Sequence, residues 1–363
     1  MLLNIDLDNF RNYKKKIFEF SRTTVLLGPN GAGKTNVLEA VAVASYGRSF
    51  REEDKKVLVN YESDYGRVQV ELAEDGEEAN RLKIEIFIQK SPRLLFRAKE
   101  KGVGRRLSDF VGVLPSVVFS PETINIISGA PAERRRFLDI MISQIDHDYL
   151  RALSAFTKVR RQRNSLLQRI ACDKASEDEL KYWDDQLISE AEVIEKKRIE
   201  AVAFLNKFLI DLYREISAKR EVINLKYEQK SEGNLADKLR DFRQREIAYG
   251  GTIYGPHRDD LVFRLDNRDM QNFASRGELR SAILALKVAE LKFLEEQREK
   301  RPEMFNIKIK PILLLDDIFS EFDIVRRQHL GQLISEYQSL ITTTDREHLS
   351  SELIKRAKII EIK

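Results

Sequence analysis

Eight consecutive residues, Gly28-Pro29-Asn30-Gly31-Ala32-Gly33-Lys34-Thr35, have the types and spacing that cradle a phosphate chain. They fit G-x-x-x-x-G-K-[ST]. The glycines let the backbone curl so that several N–H groups and a helix N-terminus converge on phosphate oxygens. Lys34 then reaches the β and γ oxygens, and Thr35 offers its hydroxyl to Mg²⁺. The chemistry is nucleotide binding, with ATP and Mg²⁺ the expected pair. A second constellation stands far along the chain, Pro311-Ile312-Leu313-Leu314-Leu315-Asp316-Asp317. Its four apolar residues suit a strand buried on both faces, and two carboxylates follow at the C-terminal end, where ligands of open α/β sheets sit. Asp316 is the expected holder of Mg²⁺, through water, and Asp317 the group that orients or deprotonates an attacking water. Lys34 and Asp317 are therefore the catalytic candidates for hydrolysis. The bland alternative for the second motif alone is two acids that merely end a strand.

The elements that must position these groups are legible around them. Thr24-Val25-Leu26-Leu27 reads as a strand entering the glycine loop and Asn36-Val37-Leu38-Glu39-Ala40 as a helix leaving it. Short alternating runs at residues 2–7, 68–72, 82–88 and 117–119 predict strands, with a turn at Asp75-Gly76. After the middle of the chain, 261–265 reads as a strand and 279–300 as a long helix. No glycine or proline occurs from residue 132 to residue 232, and apolar residues recur there at helical spacing, such as Met141, Ile145, Tyr149, Leu153 and Phe156. That block predicts antiparallel helices. The fold class is α/β: a P-loop ATPase lobe with mixed sheets, split into residues 1–130 and 234–363, around an all-helical second lobe at 131–233. The insertion accounts for the distance between the two motifs. This is the plan of the ABC-type heads of SMC-like chromosome and repair proteins.

Composition narrows the setting. The 363 residues include 63 Lys or Arg and 59 Asp or Glu, a net charge of only +4. The lone cysteine, Cys172, cannot form an internal disulfide, and no CxxC pair offers a zinc site. The opening Met1-Leu2-Leu3-Asn4-Ile5-Asp6 meets an acid before an apolar segment can form, and no apolar run is long enough to span a bilayer. A cytoplasmic protein without a membrane partner is expected. The charge is unevenly spread: residues 134–169 hold nine basic side chains against three acidic ones, a local +6, so the remainder sums to −2. Such a concentration suits a phosphate backbone, whose binding is driven by counterion release. On one helix Arg151, Lys158, Arg161 and Arg169 share a face and are the candidate DNA contacts; ion pairing within the chain is the alternative. Arg135 and Arg136 are alternatively packed against the ATPase lobe. His257 and Arg258, in a Gly255-Pro256 turn beside Asp259 and Asp260, read equally as lobe coupling or as structure.

Along nearly its whole length the chain resembles the RecF family of bacterial recombination mediators. The likeness rests on Asn9-Phe10-Arg11-Asn12-Tyr13, the glycine loop followed by Asn36, Ser120-Pro121-Glu122, residues 133–139 with their arginine triplet, Tyr254-Gly255-Pro256-His257-Arg258-Asp259-Asp260-Leu261, and residues 315–323. The resemblance implies an ABC-type ATPase that forms an ATP-dependent homodimer around two nucleotides. It puts Arg11 and Asn36 among the nucleotide contacts and makes Ser275-Arg276-Gly277-Glu278 the signature motif. Ser275 and the Gly277 amide would face the γ-phosphate bound by the opposite protomer. The family more often has glutamine where this chain has Arg276 and Glu278. Residues 320–323 match the loop that communicates across the dimer, and 342–345 hold the switch position. The resemblance further implies a slow ATPase that clamps DNA, duplex and single-strand/duplex junctions alike, in recombinational repair, replication and the SOS response. RecR and RecO would be partners in loading RecA. Two other readings are a regulatory ATPase head of a nuclease-type protein and an SMC-like tether, for which the insertion is short.

Overall fold

The computed structural model describes residues 1–74, 77–230, 233–305 and 307–363. The expected Asp75-Gly76 turn lies outside the described residues. The first stretch of chain forms β1 (Leu2–Phe10), β2 (Tyr13–Glu19), β3 (Thr23–Leu27), α1 (Lys34–Tyr46), β4 (Tyr65–Glu74), β5 (Glu77–Gln89), β6 (Leu95–Glu100), β7 (Val103–Arg105), α2 (Leu107–Phe110) and β8 (Ser116–Phe119). The middle forms α3 (Asn125–Ser128), α4 (Pro131–Ser143), α5 (His147–Ile170), α6 (Leu180–Ser217), β9 (Ile223–Glu228), α7 (Leu235–Asp241), α8 (Arg243–Tyr249), β10 (Asp260–Leu265), β11 (Arg268–Asp269), α9 (Met270–Phe273) and α10 (Arg276–Glu299). The last stretch forms β12 (Ile312–Asp316), α11 (Ile318–Glu321), α12 (Ile324–Glu336), β13 (Ser339–Thr343), α13 (Ser351–Arg356) and β14 (Lys358–Glu361). Packing divides these into two units, Met1–Ile124 with Ile283–Lys363, and Asn125–Ala282.

The first unit has two sheets. One is parallel, in the order β14-β3-β13-β12-β8. Every residue of β12 and β13 is buried, as a parallel strand covered on both faces requires, and the Ile-Leu-Leu-Leu run of β12 meets that requirement. The other sheet is antiparallel, in the order β2-β1-β4-β5-β6-β7. Its alternating pattern buries Ile5 and Leu7 of β1, Val68 and Val70 of β4, and Ile84 and Ile86 of β5 on one face. Helix α1 packs against both sheets, so Val37, Leu38, Val41 and Val43 are all buried around its circumference. Each such side chain contributes roughly 1.5–3 kcal/mol by leaving water.

The second unit is built on α5 and α6. Asp146 caps α5 by accepting from the Tyr149 N–H at 2.9 Å. Its buried stripe runs through Tyr149, Ala152, Phe156, Leu166, Leu167 and Ile170. Residues 132–232 are mostly helical as expected, but they also hold β9. This strand pairs antiparallel with β10, Leu225 opposite Phe263, in the sheet β11-β10-β9. The unit accordingly extends to Ala282, beyond the expected limit at 233. Two contacts draw residues 234–282 to the arm: the β9–β10 ladder, and the Glu246 carboxylate of α8, which accepts from Arg163 of α5 at 2.6 Å.

Candidate nucleotide-binding site

The parallel sheet brings three strand ends together. β13 lies between β3 and β12, with Thr342 in register with Asp316 on one side and with Leu26 on the other. The glycine loop therefore leaves β3 beside the C-terminal ends of β13 and β12, the position at which open α/β sheets bind ligands. α1 begins at Lys34 with Gly33 as its N-cap and no side-chain cap, so its positive end faces the loop.

Glycine is required at both ends of the loop. Gly33 has φ +99, and a Cβ there would stand 2.5 Å from the Asn12 amide nitrogen and 2.9 Å from the Tyr13 hydroxyl. A Cβ on Gly28 would stand 2.2 Å from the Ile362 carbonyl oxygen. Pro29, Asn30 and Gly31 form the exposed crest of the loop, with Ala32 half-buried. The turn between β1 and β2 supports it from one side: Asn12 donates to the Ala32 carbonyl at 3.3 Å, Tyr13 to the Gly33 carbonyl at 3.1 Å, and Asn36 to the Asn12 side chain at 2.8 Å. Burial pushes the Tyr13 hydroxyl up to about 12, which keeps it a donor. Lys34 is buried, and its Nζ donates to the Gly28 and Pro29 carbonyls at 2.7 and 2.8 Å. Desolvation lowers its pKa, and the charges of Asp317 and Asp316 oppose the shift.

Asp316 and Thr35 meet directly. The Thr35 hydroxyl donates to Asp316 Oδ1 at 2.7 Å, and the Thr342 hydroxyl reaches the same oxygen at 2.7 Å. Burial raises the Asp316 pKa against the pull of those two donors, and the charge of Glu122 adds to the rise. Asp317 follows at φ +49, its N–H bonded to Thr342 Oγ1 at 2.9 Å and its Oδ1 buried without a partner among the described residues. Thr35 and Asp316 set side by side two oxygen donors of the kind that could hold Mg²⁺. Among the described residues no group of three or more His, Cys, Asp and Glu could hold a metal by itself.

Arg11, read from the resemblance as a nucleotide contact, sends Nε and a terminal nitrogen to Glu39 at 2.7 and 2.6 Å. Glu39 is fully buried and also accepts from Ser49 and, at 2.7 Å, from Arg51, which reaches Asn36 at 2.7 Å as well. Burial alone would raise the Glu39 carboxyl, but these donors outweigh it and hold it low. This cluster is absent from the sequence reading. Glu39 is one acid in an apolar helix, and its partners come from two segments, the β1–β2 turn and the loop after α1.

In the second unit Ser275 immediately precedes α10. Its N–H and hydroxyl donate to Glu278 at 2.9 and 3.0 Å, the Glu278 N–H returns to its Oγ at 3.3 Å, and Lys219 pairs with Glu278 at 2.7 Å. Glu278 is thus part of a capping box. Gly277 lies in the first turn of the same helix. Lys158, Arg161 and Arg169 are exposed on α5, and Arg151, also exposed, pairs with Asp148. Not all of the basic segment is on the surface. Arg134 is buried against Asp260 at 2.7 Å, Arg163 is buried between Asp184 at 2.7 Å and Glu246 at 2.6 Å, and Arg135 donates to the Asp259 carbonyl at 2.8 Å. Asp259 lies in the stretch 234–363 that the sequence assigns to the ATPase lobe, and the packing places it with Arg135 in the second unit. Among the described residues no helix is long and apolar enough to cross a membrane.

The chain is similar to proteins named DNA replication and repair protein RecF. A DNA replication and repair protein RecF of Lachnoclostridium phytofermentans is 33% identical over 99% of this chain and 97% of its own. A RecF of Bacillus cereus is 34% identical over 99% of this chain and 96% of its own. The family model described as the RecF/RecN/SMC N terminal domain matches residues 1–361. The chain belongs to the RecF family. A solved structure described as the recombination mediator protein RecF with ATP, in the RecFOR pathway, superposes with a TM-score of 0.86 at 31% identity, covering 96% of this chain and 93% of that one. An Smc head bound to the C-terminal winged-helix domain of ScpA shares the fold at TM-score 0.53 and 16% identity, over 99% of this chain and 93% of that one.

Proposed function

We propose that this RecF-family chain binds ATP and Mg²⁺ at the glycine loop and uses slow hydrolysis as a conformational switch for a DNA clamp. ATP draws two copies together, each completing the other's site with Ser275 and the Gly277 amide. The dimer holds duplex DNA and single-strand/duplex junctions in the cytoplasm and, with RecR and RecO, helps RecA load during recombinational repair. The observation that carries the nucleotide part is the single Asp316 oxygen shared by the Thr35 and Thr342 hydroxyls at 2.7 Å each. The name and ATP-bound form of the 31% identical structure support the same reading.

Each residue has a stated task. The α1 N-terminus and the loop amides bind phosphate oxygens, and Lys34 exchanges its carbonyl contacts for the β and γ oxygens. Thr35 and Asp316 would hold Mg²⁺, which when bound neutralises charge on the phosphates. Asp317, with its unpartnered Oδ1, orients the attacking water and accepts its proton. Its carboxylate is one methylene shorter than a glutamate's, which suits slow turnover.

The test uses two variants and analytical ultracentrifugation with ATP. Lys34→Met abolishes ATP-dependent dimerisation, and Asp317→Asn, which binds without hydrolysing, accumulates the dimer. An Asp317→Asn chain that stays monomeric with ATP ends the gating scheme, and Mg²⁺-dependent cutting of plasmid would favour the nuclease reading.

A further inference from the structure

The second unit contains a cavity of about 220 Å³ that plays no part in the proposed function. Its walls come from four places: Arg135 and Asp139 on α4, Phe156 and Arg160 on α5, Arg198 on α6, and His257 in the loop before β10. Basic groups dominate them. Arg198 is fully engaged, bonding Tyr149, Tyr227, the Pro256 carbonyl and Asp139. Asp139 is thereby neutralised locally. Asp259, on the far side, is held by the Tyr227 hydroxyl at 2.6 Å and the Lys230 N–H at 2.9 Å.

The other two wall cations are less engaged. Arg160 has no hydrogen bond or ion pair among the described residues, and Arg135 donates to the Asp259 carbonyl while the charges of Asp260, Asp139 and Asp259 act on it from a distance. Their charges act on one another: desolvation lowers the Arg160 pKa, and the charges of Arg258 and Arg135 lower it further. His257 Nε2 stands 3.1 Å from the Thr252 carbonyl, while its Nδ1 is buried without a partner among the described residues. Burial, with repulsion from Arg160, Arg258 and Arg135, pushes its imidazole down to about 3. Arg160 and Arg135 therefore face the cavity beside a neutral ring, the charge of the exposed Arg258 adds to theirs, and an anion in the cavity would relieve the repulsion.

We infer that this cavity is a binding site for a single phosphate group. The volume lies below the ~300–1,000 Å³ of pockets that hold drug-sized ligands, which excludes a whole nucleotide and admits a tetrahedral oxyanion. Arginine is the residue suited to it, because its planar fork donates in pairs to phosphate oxygens. The group is either inorganic phosphate or the terminal phosphate of a DNA strand, which share this chemistry.

The chain has four histidines, so the side-chain nitrogen resonances of His257 can be followed by NMR in the full-length protein. Inorganic phosphate is the probe, and a His257→Gln spectrum gives the assignment. Phosphate is expected to shift the His257 signals in the wild type and equally in Lys34→Met, which separates this site from the glycine loop. Arg160→Gln and Arg135→Gln weaken the response at least tenfold, while Arg160→Lys retains part of it. A duplex carrying a 5′-phosphate that displaces the probe, where its 5′-hydroxyl counterpart does not, identifies a DNA end as the source. Displacement by neither identifies free phosphate. A His257 signal unmoved by phosphate, or arginine variants that respond as the wild type does, overturns the site.

Discussion

The Thr342 hydroxyl donates to the same carboxylate oxygen of Asp316 that Thr35 reaches, and it also accepts the N–H of Asp317 at 2.9 Å. One side chain at the end of the central strand thus fixes both acids of the site. Thr342→Val keeps the shape and removes both bonds. We expect a loss of about 1–3 kcal/mol of stability in urea denaturation, because two buried polar groups lose a partner. The Asp316 pKa, already raised by burial, rises further when this lowering contact goes. An unchanged urea midpoint would show that the threonine is only a space-filler.

Arg163 and Arg161 stand two residues apart on α5 and should separate stability from DNA affinity. Arg163→Met strands Glu246 in the interior, while Asp184 keeps Arg243 at 3.0 Å. Breaking a buried pair in this way costs about 3–5 kcal/mol. Arg161→Gln, on the exposed face, changes stability by less than about 0.5 kcal/mol. It instead reduces the slope of log affinity against log salt by about 0.9 if Arg161 meets a phosphate. Thermal melts and DNA titrations at several salt concentrations check both. An unchanged salt slope in Arg161→Gln would remove it from the DNA contacts.

Glu195 predicts a pH dependence. Burial, with the nearby charge of Asp259, raises its carboxyl from 4.5 to about 7, and its Oε1 is buried without a partner among the described residues. The folded state therefore resists an ionisation that the unfolded chain allows. The associated stability is fully present below 4.5 and is lost as pH rises towards about 7. Glu195→Gln is expected to be more stable than the wild type by about 1–3 kcal/mol above that range. The difference should vanish in acid, which denaturation midpoints across the range will measure. A constant difference at every pH would exclude the titration.

The glycine loop was legible because all of its chemistry lies in eight adjacent residues. Asp316 and Asp317 were legible because an apolar run announces the strand that ends in them. Other features needed the fold. Glu39 is decided by Arg11, Ser49 and Arg51, which sequence spacing does not bring together. Strand β9 was hidden by the lack of glycine and proline around it, although Ile223, Leu225 and Tyr227 alternate with Asn224, Lys226 and Glu228 as a half-buried strand does. Arg163 was counted with a surface patch by its charge alone. Its helical phase, seven residues after the buried Phe156, marks it as an interior position.

The order of the parallel sheet has a consequence for the nascent chain. β8 pairs with β12, and β3 with β13 and β14, across the whole of the second unit. On the ribosome the contiguous Asn125–Ala282 has all its own partners while β3 and β8 still lack theirs. Contacts so distant along the chain form slowly and leave apolar surface open in the interval. During synthesis the β2-β1-β4-β5-β6-β7 sheet and the arm therefore have their partners early, while β3 and β8 stay unpaired until β12, β13 and β14 emerge.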